Sequence, residues 1–193
     1  MKHGQFCRQA VAAAVLGVLG VLGAGTAQAV PVVSLAASPN PVVPGGNVQV
    51  NVLISGAIDL YAYQFSLLFN PAVLQASAPT EGAFLGAGGT TFFVPGTVNN
   101  TLGRVNLTVG SLLGVLPGVN GNGVLASLNF NATSVGSSVL QLADVVLLDS
   151  ALLDIPAQTQ AVTVSVIPEP GTWLMFGLGL AAVGGLVRRR MPA

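Results

Sequence analysis

The chain has 193 residues, 52% of them hydrophobic and only 6% charged, with a formal net charge of zero, one cysteine and one histidine. The zero hides a segregation: Lys2, Arg8, Arg188, Arg189 and Arg190 sit at the two ends, so residues 30–167 keep Arg104 alone against five acids, a net of −4. That stretch has no cysteine, histidine, lysine or tryptophan, which excludes nucleic-acid binding by phosphate neutralisation, a disulfide framework, a zinc site, and Ser/His/Asp or Cys/His nucleophilic catalysis.

In chain order, Lys2 and Arg8 give a basic start, residues 11–21 an apolar run, and Ala27-Gln28-Ala29 a small-x-small site. This is the pattern of an export leader over residues 1–29, cleaved after Ala29. Cys7 precedes the apolar run and leaves with the leader; a lipoprotein cysteine would follow that run. An uncleaved amphipathic anchor is the alternative. Removing the leader and the tail leaves 138 residues, 30–167, enough for one domain with a sizeable core.

From residue 30 onward the hydrophobic period is two, which predicts strands with one buried face. Val48, Val50, Val52 and Ile54 alternate with Gln49, Asn51 and Leu53, and Gly56 is expected to end that run. Residues 60–69 give the clearest strand: Tyr61, Tyr63, Phe65, Leu67 and Phe69 share a face, and Asn70-Pro71 stops it, because proline cannot continue a central ladder. It is expected to be central, and the aromatic heart of the core. Residues 76–100, rich in Gly, Thr and Pro, read as loops with short edge strands. Val105, Leu107 and Val109 predict a strand with those three on one face, residues 110–123 a long turn-rich connection, and Val124, Ala126, Leu128 and Phe130 another strand. Residues 136–142, 145–148 and 162–166 close the series, and no convincing helical period occurs between 30 and 167.

Roughly nine short strands separated by turn signals predict an all-β, antiparallel two-sheet sandwich. The order of landmarks is more specific: Pro44-Gly45-Gly46 and a Val-rich strand, then the run from Leu60 through Phe69-Asn70-Pro71, then Gly123-Val124-Leu125-Ala126-Ser127-Leu128-Asn129-Phe130 and Gly136-Ser137-Ser138-Val139-Leu140. This resembles the cohesin fold, a jelly-roll β-sandwich related to carbohydrate-binding modules, over nearly all of residues 30–167. The resemblance rests mostly on core positions. It implies a module that holds another protein, as cohesins hold dockerins, although cohesin-like domains also occur in bacteria without cellulose-degrading complexes.

Asp144, Asp149 and Asp154 form the one acidic cluster that could supply a carboxylate pair for glycoside hydrolysis or a weak calcium site. The repeated Asp-x-Asp-x-Asp-Gly signature of a calcium loop is absent, and solvated turn acids are the favoured reading, so no metal or cofactor is expected. Tyr61 and Tyr63 share a face with Phe65 and Phe69 and are assigned to the core. Phe92 and Phe93 are adjacent on a short strand and must point in opposite directions, which makes them the candidates for ligand contact, with sugar or protein. Asn-x-Thr triplets at Asn99, Asn106 and Asn131 are given little weight.

The tail, residues 168–193, runs Pro168-Glu169-Pro170-Gly171, then a charge-free stretch, then Arg188, Arg189 and Arg190. The prolines stop the last strand, and a helix begins only after them. Residues 173–187 are apolar and predict a short transmembrane helix, with the arginines on the cytoplasmic side and the bulk of the chain outside. At ~1.5 Å per residue they cover about 22 Å, against a ~30 Å hydrocarbon core. From hydropathy alone an ordinary C-terminal membrane anchor reads the same way, but the order of parts argues for more than an anchor. The three parts in this order resemble the PEP-CTERM sorting tail. That resemblance implies a partner, a membrane protease of the exosortase type acting near Pro168, Glu169 and Pro170, and a route through the inner membrane to the cell surface or extracellular matrix. The expected function is non-enzymatic adhesion or scaffolding toward a protein or polysaccharide partner. The alternatives are an exopolysaccharide-binding module and a periplasmic protein simply anchored in the inner membrane.

Overall fold

The computed structural model describes residues 30–169 and 171–189; the expected leader with Ala27 and Ala29, and Pro170 and Arg190 of the tail, lie outside the described residues. The valine-rich alternation forms β1 (Val32–Ser38) and β2 (Asn47–Leu60), antiparallel with Val33 opposite Ile54 and Leu35 opposite Val52. One residue, Tyr61, then separates β2 from β3 (Ala62–Leu68). There follow β4 (Leu74–Ala76), β5 (Thr80–Glu81), a single helical turn α1 (Ala83–Gly86), β6 (Thr91–Val94), β7 (Thr97–Asn99) and β8 (Arg104–Leu112). The series ends with β9 (Val119–Ala132), β10 (Gly136–Leu148), β11 (Gln158–Gln160), β12 (Val162–Val166) and α2 (Thr172–Arg189).

These elements make a sandwich of two six-stranded sheets. The first has the order β11-β1-β2-β9-β4, with β5 also on β9; the second has β12-β10-β3-β8-β6, with β7 also on β8. Apart from β1 with β11, the named strands pair antiparallel. Between the sheets lie Val48, Val50, Val52 and Ile54 of β2, Tyr63, Phe65 and Leu67 of β3, and Leu128 and Phe130 of β9, each 2% exposed or less. Burial of each such large apolar side chain contributes about 1.5–3 kcal/mol. Tyr63 stacks on Phe65 with centroids 6.1 Å apart, and Phe69 meets Phe130 edge-on at 5.2 Å. Gly110 lies against the Tyr63 ring, where an added Cβ would come within 2.5 Å of ring carbons.

Several local expectations are corrected. Gly56 does not end β2: with φ of 71° it bends a strand whose ladder with β9 shifts register three times before Leu60. The long connection over 110–123 shrinks to residues 113–118, because β8 and β9 extend into it. The two runs at 136–142 and 145–148 are one strand, β10, carrying a bulge between Ala143 and Val146 with Asp144 in the left-handed region (φ 51°). A helical turn does occur in the domain: α1 plugs Phe84 and Leu85 into the core. Twelve strands replace nine, most of the surplus being pieces of two or three residues such as β4, β5, β7 and β11.

The tail is helical over Thr172–Arg189, but among the described residues no helix is long and apolar enough to cross a membrane. Eighteen residues reach about 27 Å, and the helix ends in arginines, so the expected transmembrane helix falls short of a ~30 Å core.

The two ends of the chain's domain lie at opposite poles. The end of β2, the start of β3 and the end of β10 meet at one pole, where Pro31 accepts a hydrogen bond from Gln158 N at 2.9 Å. At the other pole Leu68 faces Arg104 and Gly136 faces Val166, the last residue of β12.

The Tyr63 hydroxyl donates to Leu125 O at 2.6 Å, and burial, helped by the charge of Glu81, pushes its pKa well above that of an ordinary phenol. A proton held more tightly in the fold contributes stability below about pH 10, lost as the pH rises further. Tyr63→Phe should cost about 1 kcal/mol at neutral pH, while its denaturant midpoint should fall less than that of the wild type between pH 9 and pH 12 in parallel chemical unfolding series.

Candidate functional site

The register of β3 decides which side chains face outward from the second sheet. Tyr63, Phe65 and Leu67 point into the core, so Ala62, Gln64, Ser66 and Leu68 occupy the outer face. Residues directly opposite in an antiparallel ladder share a face. Gln64 pairs with Val109 of β8 and Val146 of β10, and Val109 pairs in turn with Val94 of β6. Ser111 pairs with Phe92.

The expectation that Val105, Leu107 and Val109 share one face is overturned by a bulge. Phe65 lies opposite Thr108 but Leu67 opposite Val105, so one strand carries an extra residue, and Leu107 sits at φ 50°. Val105 and Thr108 therefore face inward and are fully buried, while Leu107 is 51% exposed and donates its backbone N–H to the buried Ser66 hydroxyl. The bulge in β10 likewise leaves Leu147 in the core and Val146 exposed. The result is an apolar outer face of Phe92, Val94, Leu107 and Val146, with Val109, Ala62 and Leu68 half-buried among them.

Phe92 is 54% exposed on this face, and Phe93, opposite Gly110, is half-buried against the core. Arg104 of β8 and Asp144 of β10 form an ion pair that reaches across β3, which separates their strands. Both partners are more than a third exposed, so the pair contributes about 0–1 kcal/mol and serves chiefly as a fixed polar feature in an apolar field. The outer face of the first sheet has the opposite character: Asn47, Gln49 and Asn51 of β2 pair with Asn131, Asn129 and Ser127 of β9.

The structure splits the acidic trio between a sheet face and a pole. Asp144 belongs to the ion pair on the second sheet. Asp149 folds its own turn, its Oδ1 accepting from Ala151 N at 2.9 Å and Leu153 N at 2.8 Å. Asp149 and Asp154 line an open cavity of about 320 Å³ at the pole that also holds Val30 and Pro31, and the third carboxylate there is Asp59. Among the described residues no group of three or more His, Cys, Asp or Glu is placed to hold a metal ion.

Asp59 was hidden from sequence reading because its partners lie 59 and 91 residues away. Its Oδ1 accepts from Gly118 N at 2.6 Å and its Oδ2 from Ser150 Oγ at 2.6 Å, tying both neighbouring loops to the end of β2. Asp59 also takes a positive φ of 56° at the end of β2, which Asp is among the residues to tolerate and which the sequence alone does not mark. Of the tail residues, Pro168 and Glu169 are exposed in irregular backbone, and Arg188 and Arg189 close α2.

The Ser150 hydroxyl, followed by Gly118 N, holds the Asp59 carboxyl below the usual aspartate range. A depressed native pKa stabilises the fold above about pH 4, and that contribution is lost as the pH falls through the native value. Asp59→Asn, which keeps the residue's tolerance of positive φ, should lower the melting temperature at pH 7; in scans from pH 7 to pH 2 the gap between variant and wild type should close at the acid end.

Comparison with known proteins gives two family matches. The Cohesin domain model matches residues 34–166, and the PEP-CTERM protein-sorting motif matches residues 166–190. No curated protein sequence matches the chain. Among solved structures, the fold is similar to the second type II cohesin module of the adaptor ScaA scaffoldin from Acetivibrio cellulolyticus, at TM-score 0.61 and 16% identity, covering 72% of this chain and 92% of that one. A non-cellulosomal cohesin from the archaeon Archaeoglobus fulgidus aligns at TM-score 0.56 and 18% identity over 76% and 98%. The third cohesin of ScaC from A. cellulolyticus, solved in complex with the ScaB dockerin, aligns at TM-score 0.59 and 16% identity over 71% and 99%. Identities this low carry the fold alone.

Proposed function

The chain belongs to the cohesin domain family and ends in a PEP-CTERM sorting motif, and from that premise we propose that it is a non-enzymatic, exported adhesion or scaffolding protein that holds a protein partner on the outer face of its second sheet. The observation that carries this reading is the contrast between the two outer faces. One is a lawn of uncharged amides and hydroxyls, which keeps its hydration. The other exposes Phe92, Val94, Leu107 and Val146 on rigid ladders around the Arg104–Asp144 pair. Flat apolar surface with a central charged pair suits a protein partner that buries it; the apolar term supplies affinity and the ion pair fixes register. A cohesin solved with a dockerin seated on it supports a protein as the occupant.

A polysaccharide is the second reading, favoured by one observation: Phe92 offers an aromatic ring at the exposed margin of the sheet, on β6. The tail supports a route in which the precursor is held at the inner membrane, an exosortase-type protease acts near Pro168, Glu169 and Pro170, and the sandwich reaches the cell surface or matrix. Leader removal after Ala29, with Ala27 and Ala29 as the small residues a signal peptidase needs, completes that route.

Two measurements test this. A photo-crosslinking residue at position 107 should capture a discrete protein on intact cells, whereas the same residue at Gln49 on the amide face should not; retardation of the wild type, but not of Phe92→Ala, in gels containing the native exopolysaccharide would transfer the function to sugar binding. For the route, Glu169→Ala should leave the chain in the inner-membrane fraction with its tail intact. Wild-type protein from the cell surface should end within Pro168, Glu169, Pro170 or Gly171 by intact mass, and a full-length C-terminus there would refute processing.

A further inference from the structure

The last strand of the sandwich runs straight into the sorting motif, and both of its edges are occupied. On one side β12 pairs with β10, from Val162 opposite Leu140 to Val166 opposite Gly136. On the other side residues 40–42 form a clasp. The Asn40 side chain donates to Thr163 O at 2.8 Å and accepts from Ser165 N at 2.9 Å. Val42 continues the ladder, donating to Ser165 O at 3.0 Å and accepting from Ile167 N at 2.9 Å. Val42 and Val166 are 6% and 2% exposed, so the clasp is backed by the core.

Residues 162–166 are thus held by β10 on one side and the strand is clasped as far as Ile167 N on the other, and Pro168 is the next residue. Only Pro168, Glu169, Pro170 and Gly171 separate Ile167 from the first residue of α2. Fully extended, four residues span about 14 Å. A protease that binds its substrate as an extended strand uses the main-chain groups of several residues before the scissile bond. For cleavage within the motif those residues include 165–167: Ser165 N and O and Ile167 N are already spent on Asn40 and Val42, and Val166 is paired with Gly136 of β10.

We propose that the clasp of Asn40 and Val42 on β12 gates removal of the tail: the protease acts on a state in which residues 165–167 have left the clasp, and the folded sandwich thereby sets the rate of processing. This rests on the reading that the tail is processed; the chemical step itself belongs to the protease.

The test is a pulse-chase of the full chain in its native cells, following conversion of precursor to the tail-less form. Asn40→Ala removes both side-chain bonds and should speed conversion roughly five-fold or more, the effect of losing about one net hydrogen bond. A six-residue Gly-Ser insertion between Ile167 and Pro168 leaves the sandwich sequence untouched and should speed it at least as much. If Asn40→Ala unfolds the domain, seen as protease sensitivity of residues 30–167, the insertion decides alone. Equal conversion of the wild type and the insertion chain overturns the gate and leaves the sorting route standing. No conversion of any chain, with Glu169→Ala as the unprocessed reference, removes the sorting route and the gate with it.

Discussion

The fold depends on one covalent constraint: β2 and β3, the middle strands of different sheets, are joined through Tyr61 alone. A one-residue link cannot let two long strands drift apart, so the valines of β2 and the aromatic face of β3 meet across the core by geometry. Every other strand then builds outward from this pair: β1 and β9 on β2, β10 and β8 on β3. The Tyr61 hydroxyl, donating to Gly114 O at 2.6 Å, and the Asp59 carboxylate, bridging to Gly118 and Ser150, hold the loops around that corner. A domain with one cation and no disulfide has few other means of fixing its topology than close packing at such a junction.

This explains what was legible in the sequence. The alternation of Val48, Val50, Val52 and Ile54, and of Tyr63, Phe65 and Leu67, is written at period two and is found in the core as read. The bulges were not legible, because Asn106, Leu107 and Asp144 are ordinary residues whose departure from the ladder shows only in the register of β8 and β10 against β3. A period-two reading carried through a bulge assigns every later residue to the wrong face. Leu107 is the instance that matters, since its outward placement creates part of the candidate surface.

Long-range polar contacts were hidden for the same reason. Asn40 and Ser165 are 125 residues apart, and nothing near Asn40 marks its amide as a clip for the final strand. For the acidic trio, proximity in sequence did not foretell placement: the sheet turned Asp144 to an outer face and left Asp149 and Asp154 at a pole with Asp59. The two aromatic neighbours Phe92 and Phe93 fall on opposite sides of β6, as the geometry of any strand requires.

Arg104 has a bearing on durability. Within residues 30–167 it is the sole lysine or arginine, and it begins β8 with Leu68 on one side and Asn99 on the other. An endopeptidase that cuts after basic residues therefore finds one target bond in the whole sandwich, at a ladder position it can reach only by local unfolding. The scarcity of basic residues that leaves the domain with a net negative charge thus also limits such an enzyme to a single, strand-embedded bond.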